Sequence, residues 1–185
     1  NWDVSSVTNM SNMFYGTKSF NQAIDNWDTS ELTNMRGMFS SANAFNQPIG
    51  NWNVSNVVYM EYMFQRATVF NQPIGNWDVS KVFNMSYMFW NAEAFNQPIE
   101  NWDVSNVTDM QSMFYYYVPL FNKDIGNWNV SNVSNTMKMF ALSPFNQPIG
   151  NWNVSSVTDM SNMFYGATAF NQLIENWDVS KVTDM

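Results

Sequence analysis

The sequence predicts an α/β repeat solenoid whose coils of 25 residues each hold a short parallel strand followed by a short helix or helical turn. Two observations carry that expectation. Asn-Trp occurs eight times, at Asn1-Trp2, Asn26-Trp27, Asn51-Trp52, Asn76-Trp77, Asn101-Trp102, Asn127-Trp128, Asn151-Trp152 and Asn176-Trp177, in steps of 24 to 26 residues. A fixed period of that length marks a stacked array. Within each unit the apolar period changes from two to three and four, the change from a half-buried strand to a helical segment. Residues 1–185 then form one array of seven full repeats and a partial eighth.

Counted from Asn as slot 1, the most regular unit runs from Asn151 to Glu175. Trp152 and Val154 alternate with Asn151, Asn153 and Ser155, the pattern of a strand with one face buried. Val157, Met160, Met163 and Phe164 follow at helical spacing. Serine fills slot 5 in every copy (Ser5, Ser30, Ser55, Ser80, Ser105, Ser131, Ser155 and Ser180), where a hydroxyl is placed to cap the segment that follows. Pro48, Pro73, Pro98 and Pro148 close their units at slot 23, which therefore donates to no ladder. Slot 25 alternates between Gly and the acids Asp25, Glu100 and Glu175, so no left-handed glycine is required there.

Both departures from the 25-residue step fall between the two phenylalanines of a unit. One residue is added between Phe114 and Phe121, and one is lost between Phe140 and Phe145. Length changes are tolerated in exposed connections, which assigns slots 15 to 19 to the loop of each coil. A single coil has too few apolar side chains to offset the entropy of ordering its backbone. Stacking buries Trp on Trp, Met on Met and Phe on Phe, with asparagine and serine ladders between them, so the array folds as one unit.

Composition excludes several functions. The chain has no cysteine and no histidine, which removes thiolate sites, disulfides and the commonest general base and metal ligand. Gly-rich phosphate loops, nucleophile triads and paired carboxylates are absent, so no enzyme, cofactor or metal is expected. A net charge of −8 with only 7 Lys and Arg opposes nucleic acid and anionic membranes. No apolar run reaches the length of a membrane span. The chain starts within a strand slot and stops within a helical one, and is expected to be an interior fragment of a longer protein.

The run from Phe145 to Phe164, Phe-Asn-Gln-Pro-Ile-Gly-Asn-Trp-Asn-Val-Ser-Ser-Val-Thr-Asp-Met-Ser-Asn-Met-Phe, resembles the repeats of the BspA-like leucine-rich-repeat surface proteins, and the likeness covers the whole chain. It implies leucine-rich-repeat-like coils, extracellular or cell-surface display and a role in adhesion. Ile149, Trp152 and Val154 match the spacing of the three leading leucines of such repeats, whereas Val157 stands where those carry Asn or Cys. That departure makes a parallel β-helix the alternative fold.

Two candidate sites stand out. One is the polar column at slot 3, formed by Asp3, Asp28, Asn53, Asp78, Asp103, Asn129, Asn153 and Asp178, which as a single column supplies too few oxygens for a calcium ion. Its plain alternative is a solvated face that keeps the sheet soluble. The other comes from slots 8, 12 and 15, which on a helix face away from the core. In the third to fifth copies these slots hold Val58, Tyr62, Phe83, Tyr87, Trp90 and Tyr115, with Tyr59, Tyr116 and Tyr117 nearby. In the second and sixth they hold small or polar residues.

A local aromatic patch marks a contact surface, and Tyr62, Phe83, Tyr87, Trp90 and Tyr115 are the expected partner-binding residues. The alternative is that they are partly buried under the long loop of the fifth copy. The expected function is a non-enzymatic surface module binding a protein or glycan on a host or neighbouring cell. The competing reading is a structural protein that assembles with copies of itself into a filament or surface layer. An ice-binding face ranks last, because Val58 and Phe83 interrupt the threonines of slot 8.

Overall fold

A computed structural model describes residues 2–185, so Asn1 of the first Asn-Trp pair lies outside the described residues. Successive units stack in register, but the α/β solenoid with strands and helices is not what they build, and neither is the parallel β-helix. Among the described residues there is no helix and no strand. Sheet-like pairing is confined to single parallel bridges along slot 9, from Asn9 to Asn34, Tyr59, Asn84, Asp109, Asn135, Asp159 and Asp184. The leucine-rich-repeat-like cross-section, with its strand in slots 1 to 5, falls for the same reason.

The segment that reads as helical is a chain of tight turns. The amides of Met10, Asn12, Phe14 and Gly16 donate to carbonyls of the next coil, at Asn34, Arg36, Met38 and Ser40, over 2.8–3.0 Å. The amides between them turn back on their own coil, Met13 to Met10, Tyr15 to Asn12 and Thr17 to Phe14. Such alternation needs a left-handed residue every fourth position, and slots 12 and 16 supply it. Asn12 has φ 56°, Gly16 70°, Tyr62 62°, Arg66 55°, Tyr87 59° and Asn91 56°. Left-handed residues at that spacing exclude an α-helix and fit the third position of a type II turn. The turns nevertheless send slots 7, 10, 13 and 14 inward, as a helix would, so the apolar spacing matches either backbone.

Slots 1 to 5 hold no ladder. Side chains link them instead: Nε1 of Trp52, Trp77, Trp102, Trp128, Trp152 and Trp177 donates to the carbonyl of Ile24, Ile49, Ile74, Ile99, Ile125 and Ile149, at 3.0–3.2 Å, and Asn56, Asn106 and Asn132 donate to the carbonyls of Ser30, Ser80 and Ser105. The slot 5 serines cap nothing. They donate to the slot 3 side chain two residues back, as Ser80 does to Asp78 through both its amide and its hydroxyl, because a turn and not a helix follows them.

Aromatic columns fill the interior. In each coil the two phenylalanines stack with ring centres 3.9–4.1 Å apart, as in Phe39 with Phe45 and Phe114 with Phe121. Rings of successive coils lie 5.5 to 5.9 Å apart along the slot 14 column. Offset stacks of this kind add to the stability of area burial alone. In the inner coils the slot 10 and slot 13 methionines are sealed inside, whereas Met13 and Met185 in the terminal coils are exposed; in the sixth copy Thr136 takes slot 10 and donates to the Asp159 carbonyl over 3.3 Å.

On the side away from the turn ladder, side chains replace backbone pairing. Asn21, Asn46 and Asn71 each accept the amide of the next coil's asparagine on Oδ1, at 2.9–3.0 Å. The same oxygen accepts Nε2 of the glutamine that follows, Gln47, Gln72 or Gln97, at 2.9 Å. In the fifth copy Lys123 occupies the glutamine position, and the expanded loop lies beside it.

The assignment of slots 15 to 19 to an unladdered loop holds only in part. Slots 15 and 16 belong to the turn ladder, and slot 17 is buried as Ala42, Ala67 and Ala92. In the fifth copy Tyr116 still donates to the Ala141 carbonyl, so the additional residue is accommodated beyond the ladder.

The asparagine ladder gives a direct test. Asn71→Leu deprives the Asn96 amide and the Gln97 amide group of their shared acceptor, and is expected to cost about 1–3 kcal/mol. Asn71→Asp keeps that acceptor and should cost clearly less in the same urea titration. Equal losses in the two variants would show that the ladder does not hold the coils on this side.

Candidate binding face

The ladder face is built from the outward side chains of slots 8, 9, 11, 12, 15 and 16. In slot 8 the hydroxyls are engaged by the backbone. Thr33, Thr108, Thr158 and Thr183 each donate to the carbonyl of the coil before, at 3.0–3.2 Å. A row of hydroxyls free to order water does not form there. In slot 9 the Asn and Asp side chains accept the amide two residues on, for example Asn34 from Arg36 and Asp109 from Gln111. Tyr59 is the exception and points an exposed ring outward.

The five aromatic residues expected to bind a partner lie on this face, and four of them touch in a chain. Tyr62 stacks on Tyr87 at 4.9 Å, Tyr87 meets Trp90 edge to face at 6.1 Å, and Trp90 stacks on Tyr115 at 6.3 Å. Phe83 stands apart from that chain, edge to face with Tyr59 at 5.0 Å. The ribbon continues from Tyr115 through Tyr116 to Tyr117. Tyr62, Tyr87, Trp90 and Tyr115 are half-buried, because each covers its neighbour; Phe83, Tyr59, Tyr116 and Tyr117 are exposed.

Three cations complete the ribbon. The Arg66 guanidinium sits 4.8 Å over the Trp90 ring, Arg36 lies 5.5 Å from Tyr62, and the Lys138 ammonium 5.8 Å from Tyr115. Cation and ring always come from adjacent coils, so neither partner is near the other in sequence. Trp90 is thereby sandwiched between Arg66 and Tyr115, and its indole N–H is buried without an acceptor. Arg36 also pairs with the buried Glu61 carboxylate at 3.5 Å, while the second Glu61 oxygen has no partner. Burial and the neighbouring Tyr87 raise the Tyr62 hydroxyl above its ordinary range.

The slot 3 column is exposed along its length and occupied with local work. Asp3, Asp28, Asn53, Asp78 and Asn153 each accept both the amide and the hydroxyl of the serine two residues on. Asp103, Asn129 and Asp178 accept the amide. These are Asx turns, which aspartate and asparagine serve equally and which account for their free exchange in this slot. Hydroxyl donation first, and amide donation second, hold Asp3, Asp28, Asp78 and Asp178 below the usual carboxylate range. Among the described residues no cluster of acids is arranged to hold a metal ion.

Residues 1–101 and 91–185 each match the model of a family described as "Mycoplasma protein of unknown function, DUF285", and the two stretches together span the chain. No curated protein matches it.

Two predictions follow from this face. The lowered aspartates contribute stability above their unfolded value near pH 3.9, and that contribution is lost as pH falls through their depressed folded values. Asp109, raised by burial, acts in the opposite sense and relaxes on protonation. Asp28→Asn with Asp78→Asn should therefore flatten the loss of stability between about pH 5 and pH 2, read by urea unfolding, with little change at neutral pH. The second concerns tryptophan. Trp102→Phe strands the Ile74 carbonyl and should cost about 1–3 kcal/mol, whereas Trp90→Phe deletes a donor that already lacks an acceptor and should cost less in the same titration.

Proposed function

The chain belongs to the DUF285 family of repeat proteins, and we propose that it is a non-enzymatic binding module, displayed outside the cell, that engages a protein partner through the aromatic ribbon of its third to fifth coils. The observation that carries this reading is the continuity of the ribbon from Tyr62 to Tyr117. Tyrosine, tryptophan and arginine are the residues that dominate interface energetics. Here their rotamers are already fixed by mutual stacking, so little side-chain entropy remains to be lost on association. Repeat stacking does not require the ribbon, since the slot 12 position is filled as well by Asn12, Gly37 or Lys138.

Extracellular display rests on the resemblance of the Phe145 to Phe164 run to BspA-like surface proteins. Absence of cysteine and histidine from the chain agrees with a role that needs no chemistry. No helix among the described residues is long and apolar enough to cross a membrane.

The test is a labelled chain on an array of extracellular-matrix proteins, with sedimentation velocity run in parallel. Saturable binding to an array protein by a monomeric chain is expected, weakened by Tyr87→Ser with Trp90→Ser. The exposed pair Tyr116→Ser and Tyr117→Ser should weaken it too, at unchanged melting temperature. Concentration-dependent self-association abolished by the same changes would replace the binding module by the filament. Binding that survives both pairs of changes would sink the ribbon as the site.

A further inference from the structure

The charge balance of the ladder face is the reverse of that of the chain. Slots 8 to 16 of the second to sixth coils hold the bases Arg36, Arg66 and Lys138 and the acids Glu61 and Asp109, in a chain with 15 Asp and Glu against 7 Lys and Arg. Most of the other acids stand in slots 3, 6 and 25, off this face. Both acids of the face are engaged within the protein. Glu61 is buried and pairs with Arg36 at 3.5 Å, and the half-buried Asp109 accepts the Gln111 amide at 2.9 Å. Beside the face, Glu93 accepts the Asn91 side-chain amide at 3.4 Å. Arg66 and Lys138 make no ion pair among the described residues.

These two cations are held in place by rings and backbone. The Arg66 guanidinium lies 4.8 Å over Trp90, Trp90 stacks on Tyr115 at 6.3 Å, and the Lys138 ammonium stands 5.8 Å from Tyr115. The third, fourth, fifth and sixth coils contribute one member each, so two positive charges bracket a stacked aromatic pair. The Arg66 amide donates to the Trp90 carbonyl at 2.8 Å, and the Arg66 carbonyl accepts Nδ2 of Asn43 at 3.2 Å. The Lys138 amide donates to the Ser161 carbonyl at 3.0 Å, and the Lys138 carbonyl accepts the Ala141 amide at 3.2 Å. Side chains already ordered in this way lose little further entropy when a ligand arrives. A carboxylate that approaches them displaces no acid of the chain itself.

Resting on the reading of the ribbon as the binding face, we propose that the partner segment lying on it is an extended acidic peptide, with one carboxylate on Arg66 and another on Lys138. An extended chain advances about 3.3 Å per residue, so about five residues span the three gaps between the two cations. The guanidinium receives its carboxylate through two parallel N–H bonds, and the ammonium receives the other as a point charge. Residues between the two acids meet the edges of Trp90 and Tyr115 and the exposed rings of Tyr116 and Tyr117. A dense polyanion fits less well, because its charges outnumber the two cations and meet Asp109 on a chain of net charge −8.

The whole chain is used to select from phage-displayed random dodecapeptides, and an enriched peptide is then labelled and titrated by fluorescence anisotropy. Enrichment of sequences with two Asp or Glu about five positions apart is expected. Arg66→Asn and Lys138→Asn retain the left-handed backbone, which Asn91 and Asn162 adopt in the same slots. Each should weaken the peptide by about five-fold, the upper scale of an exposed ion pair, whereas Arg66→Lys should keep most of the affinity. Added salt should weaken the unaltered chain more than either asparagine variant, a difference that a purely structural role of the two cations does not produce. Lys81→Asn, at a cation bonded to Asn56 in slot 6, should change nothing. No enrichment, enrichment of peptides without acids, equal affinity of both asparagine variants, or tighter binding of heparin than of the peptide would each overturn the proposal. The matrix-protein array separates it from the reading beneath it. Binding there that survives Arg66→Asn with Lys138→Asn but not Tyr116→Ser with Tyr117→Ser removes the acidic segment and leaves the ribbon, and binding that survives both pairs removes the two together.

Discussion

Register between coils is the constraint on which everything else depends. Each coil lends alternate amides of slots 10 to 16 to the carbonyls of its neighbour and turns the intervening amides back on itself. No coil can satisfy its own backbone, so buried polar groups are paired only if the stack is continuous. The same register superimposes Trp on Trp and Phe on Phe, and places the slot 2 indole N–H groups from Trp52 onward against isoleucine carbonyls 27 to 29 residues earlier. Aromatic burial and hydrogen bonding thus enforce a single offset, and a slip of one residue would disrupt both together.

This arrangement separates stability from recognition. Slots 2, 10, 13, 14, 20 and 24 face the interior, with the same residue types in nearly every copy. Ladder-face slots 8, 11, 12, 15 and 16 make their structural contacts mainly through backbone, so their side chains are free to differ from coil to coil. The third to fifth coils use that freedom for stacked aromatics, while the second carries Gly37, over which the Asn12 carboxamide packs.

The sequence reading located the repeat, its inward slots and the ribbon residues, but assigned the wrong backbone to them. Inward residues at slots 7, 10, 13 and 14 fit a helix and a run of tight turns equally well, because both return a side chain to the same side after three or four positions. The left-handed positions were concealed because tyrosine, arginine, asparagine and lysine occupy slots 12 and 16 alongside glycine, and inter-coil hydrogen bonds hold these residues in a conformation they would not choose alone. The slot 5 serines misled in the same way, being turn donors in a position where a helix cap is common.

From the sequence alone, the period, the buried Trp, Met and Phe slots and the exclusion of thiol and imidazole chemistry were determined, since each depends on composition and spacing along the chain. Contacts between coils were decided only by the tertiary structure. Arg66 over Trp90, Arg36 on Glu61, the shared acceptor of Asn71 and the Asn12 carboxamide over Gly37 all join residues about one repeat apart. Their geometry depends on the turn-to-turn register, which no property of a single coil specifies.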